Sequence, residues 1–228
     1  MDRFLFIFST LGIFFLALIN PSWSSEPIEE NRVRSVAEKM RSVFQAIEDY
    51  ASEVEQIYFK DRVEDQRFRF KYFFKKPDKI RVDFTYPYPG LILYYRQGEK
   101  KATLRPFPSF PSLKFRLSID SSIIKTPTGQ QISQTDMVFF IGFLFRNQAE
   151  VPQKDTQFQE EKDQINFLLW ARDYVKGEWP EKYRIFVSTQ NWFPVRIERY
   201  SPEGHPIEIS IIQNYVFNSN LEDSFLTP

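Results

Sequence analysis

The side chains that most often carry catalysis are few in this 228-residue chain, and they are poorly placed for it. His205 is the only histidine, and it lies in "SPEGH", which predicts a hairpin turn. A Ser-His-Asp relay would have one candidate base, in a solvated turn. Because cysteine is absent, neither a Cys-His relay nor a thiolate metal site can form. We therefore expect no enzyme activity, no metal and no cofactor.

Acidic residues form three clusters, at positions 29–30, 53–55 and 160–163. Lys or Arg lies near each cluster, which is typical of solvated surfaces. A glycosidase-type carboxylate pair is the alternative, but nothing in the spacing favours it. The chain has only 7 glycines and contains neither GxGxxG nor GxxxxGK[ST], so phosphate-cradling loops are not expected.

Basic and aromatic residues alternate along positions 67–75, "RFRFKYFFK", which could suggest a platform for single-stranded nucleic acid. In a strand, however, alternating side chains point to opposite faces, so the charges and the rings could not bind one ligand together. The 30 Lys and Arg residues also balance the 30 Asp and Glu residues. We therefore expect no nucleic-acid partner.

The N-terminus has the order of regions found in a secretory signal peptide. Arg3 precedes an apolar run over residues 4–19, Pro21 ends the run, and Ser22-Trp23-Ser24 offers small residues for cleavage. We predict a signal peptide over residues 1–24, cleavage near residue 24, and one mature domain over residues 25–228. The alternative is an uncleaved membrane anchor, since the run is only slightly short of a membrane span.

Two helices are predicted. Residues 29–50 carry apolar side chains three and four apart, which favours one amphipathic helix with a single buried stripe. A second helix is predicted over residues 134–146, with Ser133 and Asp136 spaced as in a capping box. It is apolar all the way round and too short to span a bilayer, so it must be buried on most sides or cover a cavity.

The rest of the chain alternates with period two, as antiparallel strands do. Strands are predicted around residues 67–75, 80–86, 91–95 and 101–104, and again at Ile165–Ala171, Tyr183–Thr189, Pro194–Tyr200 and Ile207–Val216. Residues 105–112 are a predicted crossing loop, because their three prolines have no backbone N–H to donate to a neighbouring strand. Residues 147–163 are also a predicted loop. Phe73 breaks the alternation of its strand, which a bulge would explain. The predicted fold is mainly β with α: an incomplete antiparallel barrel, a curved sheet of about 8–11 strands, with helices on its concave face.

The apolar face of this sheet is larger than one amphipathic helix can cover. Most aromatic residues on strands simply pack in a core, but the surplus here favours a cavity for acyl chains, where each buried CH2 is worth about 0.8 kcal/mol. The predicted lipid-binding residues come from the strands and from the second helix: Phe68, Phe70, Tyr72, Phe74, Ile80, Val82, Phe84, Leu91, Leu93, Met137, Phe140, Ile141, Leu144, Phe167 and Leu169.

The stretch "FKYFFKKPDKIRVDFTYPYPGLILYYRQGEKKATLRPF" resembles the central strands of the LolA family of periplasmic lipoprotein carriers. "TDMVFFIGFL" falls where that family has its lid helix, and the C-terminal "FPVRIERYSPEGHPIEISI" is similar to its closing hairpin. The resemblance covers roughly residues 30–228 and rests on pattern, with no single diagnostic motif. It implies a half-barrel with an apolar cavity that carries lipid-modified cargo.

In LolA-type carriers a basic residue before the turn proline, usually Arg, contacts the lid. The matching residue here is Lys76, which lacks the planar fork of Arg. We predict that Lys76 and Arg81 lie at the rim of the cavity, with Lys76 as the latch of the lid.

The predicted function is that of a monomeric periplasmic carrier. It would bind acyl chains of lipoproteins or of another envelope lipid and move them toward the outer membrane. The resemblance implies an inner-membrane release complex and an outer-membrane acceptor as partners. The alternative is a lipid- or lipoprotein-sensing regulator of the same fold that docks a membrane partner.

Overall fold

A computed structural model describes residues 28–150, 156–173 and 180–228. The predicted signal peptide and its cleavage point lie outside the described residues. Two α-helices and a short 3-10 helix, Ile132–Gln134, accompany eleven strands. The bounds are α1 Ile28–Gln45, β1 Asp49–Lys60, β2 Val63–Lys75, β3 Lys79–Tyr86, β4 Ile92–Arg96, β5 Lys101–Arg105, β6 Phe115–Ser118, α2 Met137–Glu150, β7 Gln157–Glu160, β8 Gln164–Arg172, β9 Pro180–Ser188, β10 Pro194–Tyr200 and β11 Pro206–Phe217.

All eleven strands form one antiparallel sheet in the order β6-β5-β4-β3-β2-β1-β11-β10-β9-β8-β7. The sheet is curved and does not close into a barrel. It consists of two meanders, β1 to β6 and β7 to β11, which meet where β1 pairs with β11. The predicted incomplete antiparallel barrel is therefore confirmed, and it is the fold that the resemblance to the LolA family implies.

Alternating strands supply one side of a single core, and the two helices supply the other. Along β8 the odd-numbered side chains are buried and the even-numbered ones are partly exposed. The stripe of α1 packs against these inward-facing side chains, as does α2. Both helices therefore lie on the inner face of the sheet and cover it. None of the helices in the described ranges is long and apolar enough to cross a membrane.

The segment after β11, residues 218–228, runs back over the outer face of the sheet, and we call it the C-terminal strap. Asp49 holds its start by accepting hydrogen bonds from the backbone amides of Ser219, at 2.8 Å, and Leu221, at 3.1 Å. Lys75 and Lys79 both pair with Asp223 of the strap, at 2.9 and 2.6 Å. These ion pairs hold the pKa of Asp223 at about 2. The strap thus joins β1, β2 and β3 on the face away from the helices.

Phe73 is explained by this strap. No register shift separates Phe73 from its neighbours in β2, so the break in alternation is not a bulge. Its ring points outward and meets Phe225 of the strap edge-on, with ring centroids 4.9 Å apart. The guanidinium of Arg81 lies 3.8 Å from the ring centroid of Phe225 and donates to the Phe225 carbonyl at 2.7 Å. The outward aromatic is therefore covered by the chain itself.

The elements differ from the prediction in several places, and one of them is strand β6, Phe115–Ser118, which was not predicted. The first helix ends at Gln45, and Tyr50 lies in strand β1. The three-residue step from Ile47 to Tyr50 only mimics the helical stripe. The strand β1 was not predicted, since its inward positions include the polar Ser52 and Gln56, which weaken the alternation. Strand β7 lies in the predicted loop over residues 147–163.

The second helix begins at Met137, and its cap is Asp136 alone. The Asp136 carboxylate accepts a hydrogen bond from the amide of Phe139 at 2.7 Å. Ser133 belongs to the preceding 3-10 turn, where its hydroxyl donates to Gln131. The predicted role of Ser133 as the helix cap was therefore wrong, while the helix itself is confirmed.

Candidate functional site

A cavity of about 280 Å³ lies between the inner face of the sheet and the segment that leads into α2. Strands β1 to β4 form one wall, β10 and β11 form another, and residues 123–143 form the roof. Tyr88 and Ile123 line the cavity while remaining 56% and 70% exposed, so they mark its opening to solvent.

The wall made by β2, β3, β4 and α2 is apolar and largely aromatic. Phe70 and Phe84 face each other across β2 and β3, with ring centroids 5.6 Å apart. Phe140 lies opposite them in the roof, stacked on Phe143 at 6.4 Å. Nine of the predicted lipid-binding residues line this cavity: Phe68, Phe70, Tyr72, Val82, Phe84, Leu91, Leu93, Met137 and Phe140.

The other six predicted residues lie in the core next to the cavity. Phe74 packs on Phe44 of α1, with ring centroids 5.7 Å apart. Leu144 points from α2 into the same core and is fully buried. The helices cover these positions completely, and parity along a strand cannot reveal which part of an inner face a helix occupies. The six core residues are Phe74, Ile80, Ile141, Leu144, Phe167 and Leu169.

Lys76 and Arg81 both lie away from the cavity wall. The ammonium of Lys76 donates to the carbonyl of Gln45 at 2.9 Å, and it lies 5.1 Å from the ring centroid of Phe44. Lys76 therefore holds the end of α1, whereas the predicted lid is α2. Arg81 points to the outer face, where it pairs with Asp83 at 2.6 Å and contacts the C-terminal strap.

A polar part of the cavity wall was not predicted from the sequence. Five residues of β1, β10 and β11 compose it, and we call them the polar strip: Gln56, Tyr58, Arg199, Glu208 and Ser210. Hydrogen bonds run along it from Tyr58 to Gln56 at 3.0 Å, from Gln56 to Ser210 at 3.4 Å and from Ser210 to Glu208 at 3.4 Å. The strip is therefore one connected network.

Arg199 joins the polar strip to strand β9. Its guanidinium lies 3.5 Å from Glu208, its cross-strand partner, and 2.5 Å from Glu181. It also donates to Asp173 at 3.0 Å. The hairpin "RYSPEGHPIE" offers a sequence signal for this pair, because its turn sets Arg199 opposite Glu208.

The N-terminus of α2 is fixed over the cavity by Asp136, which is only 2% exposed. Burial raises the pKa of Asp136 above the usual 3.8, while hydrogen bonds from the amides of Phe139 and Val138 oppose that rise. Tyr72 lies beside this turn, its hydroxyl 3.4 Å from that of Thr135. Burial raises the pKa of Tyr72 as well, so it stays protonated across the physiological range.

The raised pKa of Asp136 predicts how stability depends on pH. An acid whose pKa is higher in the folded chain binds its proton more tightly there, so folding is favoured when it is protonated. Stability relative to Asp136→Asn should be highest below pH 3.8 and should fall as the pH rises from that value through the raised pKa of the folded chain. Asparagine is the matched variant because it also caps helices. The measurement is the free energy of unfolding in urea of both proteins from pH 3 to pH 7.

Asp61→Asn, an exposed substitution in the turn between β1 and β2, controls for the loss of one negative charge. If the free energy of unfolding of wild type instead rises relative to that of Asp136→Asn as the pH increases, the folded chain favours the ionised carboxylate, contrary to this prediction.

His205, the only histidine, lies in the turn between β10 and β11 as predicted. Its Nε2 accepts a hydrogen bond from Arg62 at 2.8 Å. Within the part of the chain that the structure describes, no group of three or more His, Cys, Asp or Glu side chains is arranged to hold a metal ion.

No family model matches this sequence, and no curated protein matches it. Similar solved structures include a LolA superfamily protein from Nitrosomonas europaea, with 14% identity, TM-score 0.38, and 86% of this chain and 97% of that chain covered. Another is the lipoprotein LppX of Mycobacterium tuberculosis, with 6% identity, TM-score 0.45, and coverage of 84% and 98%. A third is the MucA/MucB complex of Pseudomonas aeruginosa, with 8% identity, TM-score 0.41, and coverage of 88% and 60%. At such identities the likeness concerns the fold alone.

Proposed function

We propose that this chain is a carrier that binds an acyl chain of a lipoprotein, or of another envelope lipid, in the cavity under α2. The observation that carries the proposal is the apolar wall, where aromatic and aliphatic side chains from three strands and a helix face an open space. An ordinary core would be filled, because protein interiors are close-packed. A solvent-filled apolar space is costly unless a ligand occupies it.

The size of the cavity suits one acyl chain. Its volume of about 280 Å³ lies just below the range of about 300–1,000 Å³ for ligand pockets. Ten buried methylenes would contribute about 8 kcal/mol before the cost of ordering the lipid. We propose that α2 moves to admit the chain, with Asp136 and Tyr72 at its fixed end.

The predicted signal peptide over residues 1–24 favours a periplasmic location for this carrier. Cleavage would release the domain over residues 25–228 as a monomer. It would receive its cargo from an inner-membrane release complex and deliver it to an outer-membrane acceptor. The location rests on the signal-peptide pattern, and the two partners rest on the resemblance to the LolA family.

The experiment that tests the carrier proposal is native mass spectrometry of the protein purified from the periplasm after expression with its own N-terminus. We expect about one lipid per protein, identified as a diacyl lipid or a triacylated peptide after extraction. A homogeneous lipid-free mass, unchanged after incubation with envelope lipids, would show that the apolar wall binds no lipid.

A second candidate is a lipid sensor that docks a membrane partner. Exposed aromatic side chains favour it, namely Tyr86 at the end of β3, Tyr88 at the cavity opening, and Phe107 and Phe110 of the crossing loop. Transfer of a fluorescent lipid from donor to acceptor vesicles separates the two functions. A carrier accelerates the transfer, whereas a sensor retains its lipid and co-purifies with a membrane protein.

A further inference from the structure

We infer that the polar strip is a headgroup site for a lipid whose head carries hydrogen-bond donors, namely hydroxyl, amide N–H or ammonium groups. This inference rests on the proposed function and extends it from the acyl chain to the headgroup.

The position of the polar strip beside the apolar wall supports this inference. Strand β1 separates the two: Gln56 is the register partner of Phe68 on the β2 side and of Ser210 on the β11 side. All three side chains line the same cavity. A ligand that lies along β1 therefore meets aromatic rings on one flank and polar atoms on the other, which is the arrangement that an amphiphile requires.

Fold stability alone does not explain a charged strip at this place. Arg199 and Glu208 are 5% and 4% exposed, and the inward residues of their strands that flank the strip, Ile197 and Ile212, are apolar. A buried ion pair contributes little to stability compared with apolar residues of similar size, because both charges lose their hydration. The strip thus occupies wall that apolar side chains could fill without that cost.

The chemistry of the strip favours a head that donates hydrogen bonds. Glu208 is an acceptor at the cavity wall, and it already receives hydrogen bonds from Ser210 and from Thr128, at 3.4 and 3.3 Å. Glu208 also lies 3.5 Å from Arg199. Because the hydrogen bonds that Glu208 accepts are long, a donor on a ligand can replace them. An anionic head would have to compete at Arg199 with the carboxylates of Asp173 and Glu181, which lie within 3.0 Å of it.

The test compares two lipids with identical acyl chains, phosphatidylethanolamine and phosphatidylcholine. Both heads are zwitterionic phosphodiesters, but only the ammonium of phosphatidylethanolamine has N–H donors. Equimolar competition for the delipidated protein is measured by native mass spectrometry. We expect wild type to prefer phosphatidylethanolamine about tenfold, which is the size of one hydrogen bond to a charged group. Glu208→Gln should bring the preference to about twofold or less.

Two further variants keep the test decisive. Glu203→Gln removes an exposed carboxylate from the adjacent turn and should keep the wild-type preference. Gln56→Leu alters the strip without touching the ion pair, so it serves if Glu208→Gln does not fold, as judged by circular dichroism. It should also reduce the preference.

The outcomes separate this inference from the carrier proposal. Equal binding of both lipids to wild type, or a preference that survives both strip variants, overturns the headgroup site and leaves the acyl cavity standing. Failure of wild type to bind either lipid, together with a lipid-free mass of the protein purified from the periplasm, overturns the carrier proposal and the headgroup site together.

Discussion

Replacing Phe140 with arginine is expected to abolish lipid retention while leaving the fold intact. Phe140 lines the roof of the cavity and is half-buried, so the fold does not depend on it as it does on the fully buried Leu144. The guanidinium would enter the part of the cavity that the methylenes of an acyl chain would otherwise occupy. The effective cost of burying a charge without a partner is several kcal/mol. That cost offsets most of the roughly 8 kcal/mol available from an acyl chain of ten methylenes. Lipid per protein, measured by native mass spectrometry, is expected to fall from about one to near zero.

Val138→Arg is the matched control for this experiment. Val138 lies two residues earlier on the same helix but is 59% exposed and does not line the cavity. It should retain lipid at the wild-type level, so a loss common to both variants would implicate the helix as a whole. If Phe140→Arg is folded and still binds lipid at the wild-type level, the ligand does not occupy the cavity under α2.

The second large effect concerns stability. Phe193→Ala is expected to lower the free energy of unfolding by about 3–5 kcal/mol. Phe193 is fully buried in an aromatic cluster, where its ring centroid lies 5.5 Å from that of Tyr50, 5.1 Å from Tyr215 and 4.8 Å from Phe217. It also lies 6.5 Å from Phe44 of α1. The ring thus joins the helix to both strands at the centre of the sheet, and its removal would leave a cavity there.

Urea unfolding of Phe193→Ala beside Phe110→Ala provides the measurement. Phe110 is 64% exposed in the crossing loop, so the same truncation there should cost less than about 0.5 kcal/mol. Similar losses in the two variants would mean that the aromatic cluster does not hold α1 to the sheet.

The elements that were predicted correctly are those in which the spacing of apolar residues along the sequence matches the face that the element buries in the fold. Strand β3 and most of β2 alternate in burial, and α2 is apolar because most of its sides meet the core or the cavity, although Val138 is exposed. Strand β1 escaped detection because Ser52 and Gln56 face inward with Val54, and they do so because one side of the cavity is polar. The inward-facing polar residues that made β1 unrecognisable as a strand are thus the same residues that give the cavity a polar side.

The site was predicted less completely than the fold, for a physical reason. Alternation assigns a side chain to a face of the sheet, but where the helices lie decides whether it meets solvent, ligand or core. Phe70 and Phe74 illustrate this, since they share a face of β2 and only Phe70 lines the cavity. The outward Arg81 follows parity too, yet its contact with Phe225 depends on a strap more than a hundred residues away in sequence.

The pairing of β1 with β11 also determines when the sheet can be completed during folding. The first meander, β1 to β6, has only local connections and can form before the second meander. Its edge strand β1 then offers twelve residues of unpaired backbone until β11, which lies about 150 residues further along the chain, pairs with it. An open strand edge is a template for pairing with other chains. A partly folded chain therefore exposes a strand edge at β1 that the completed sheet covers.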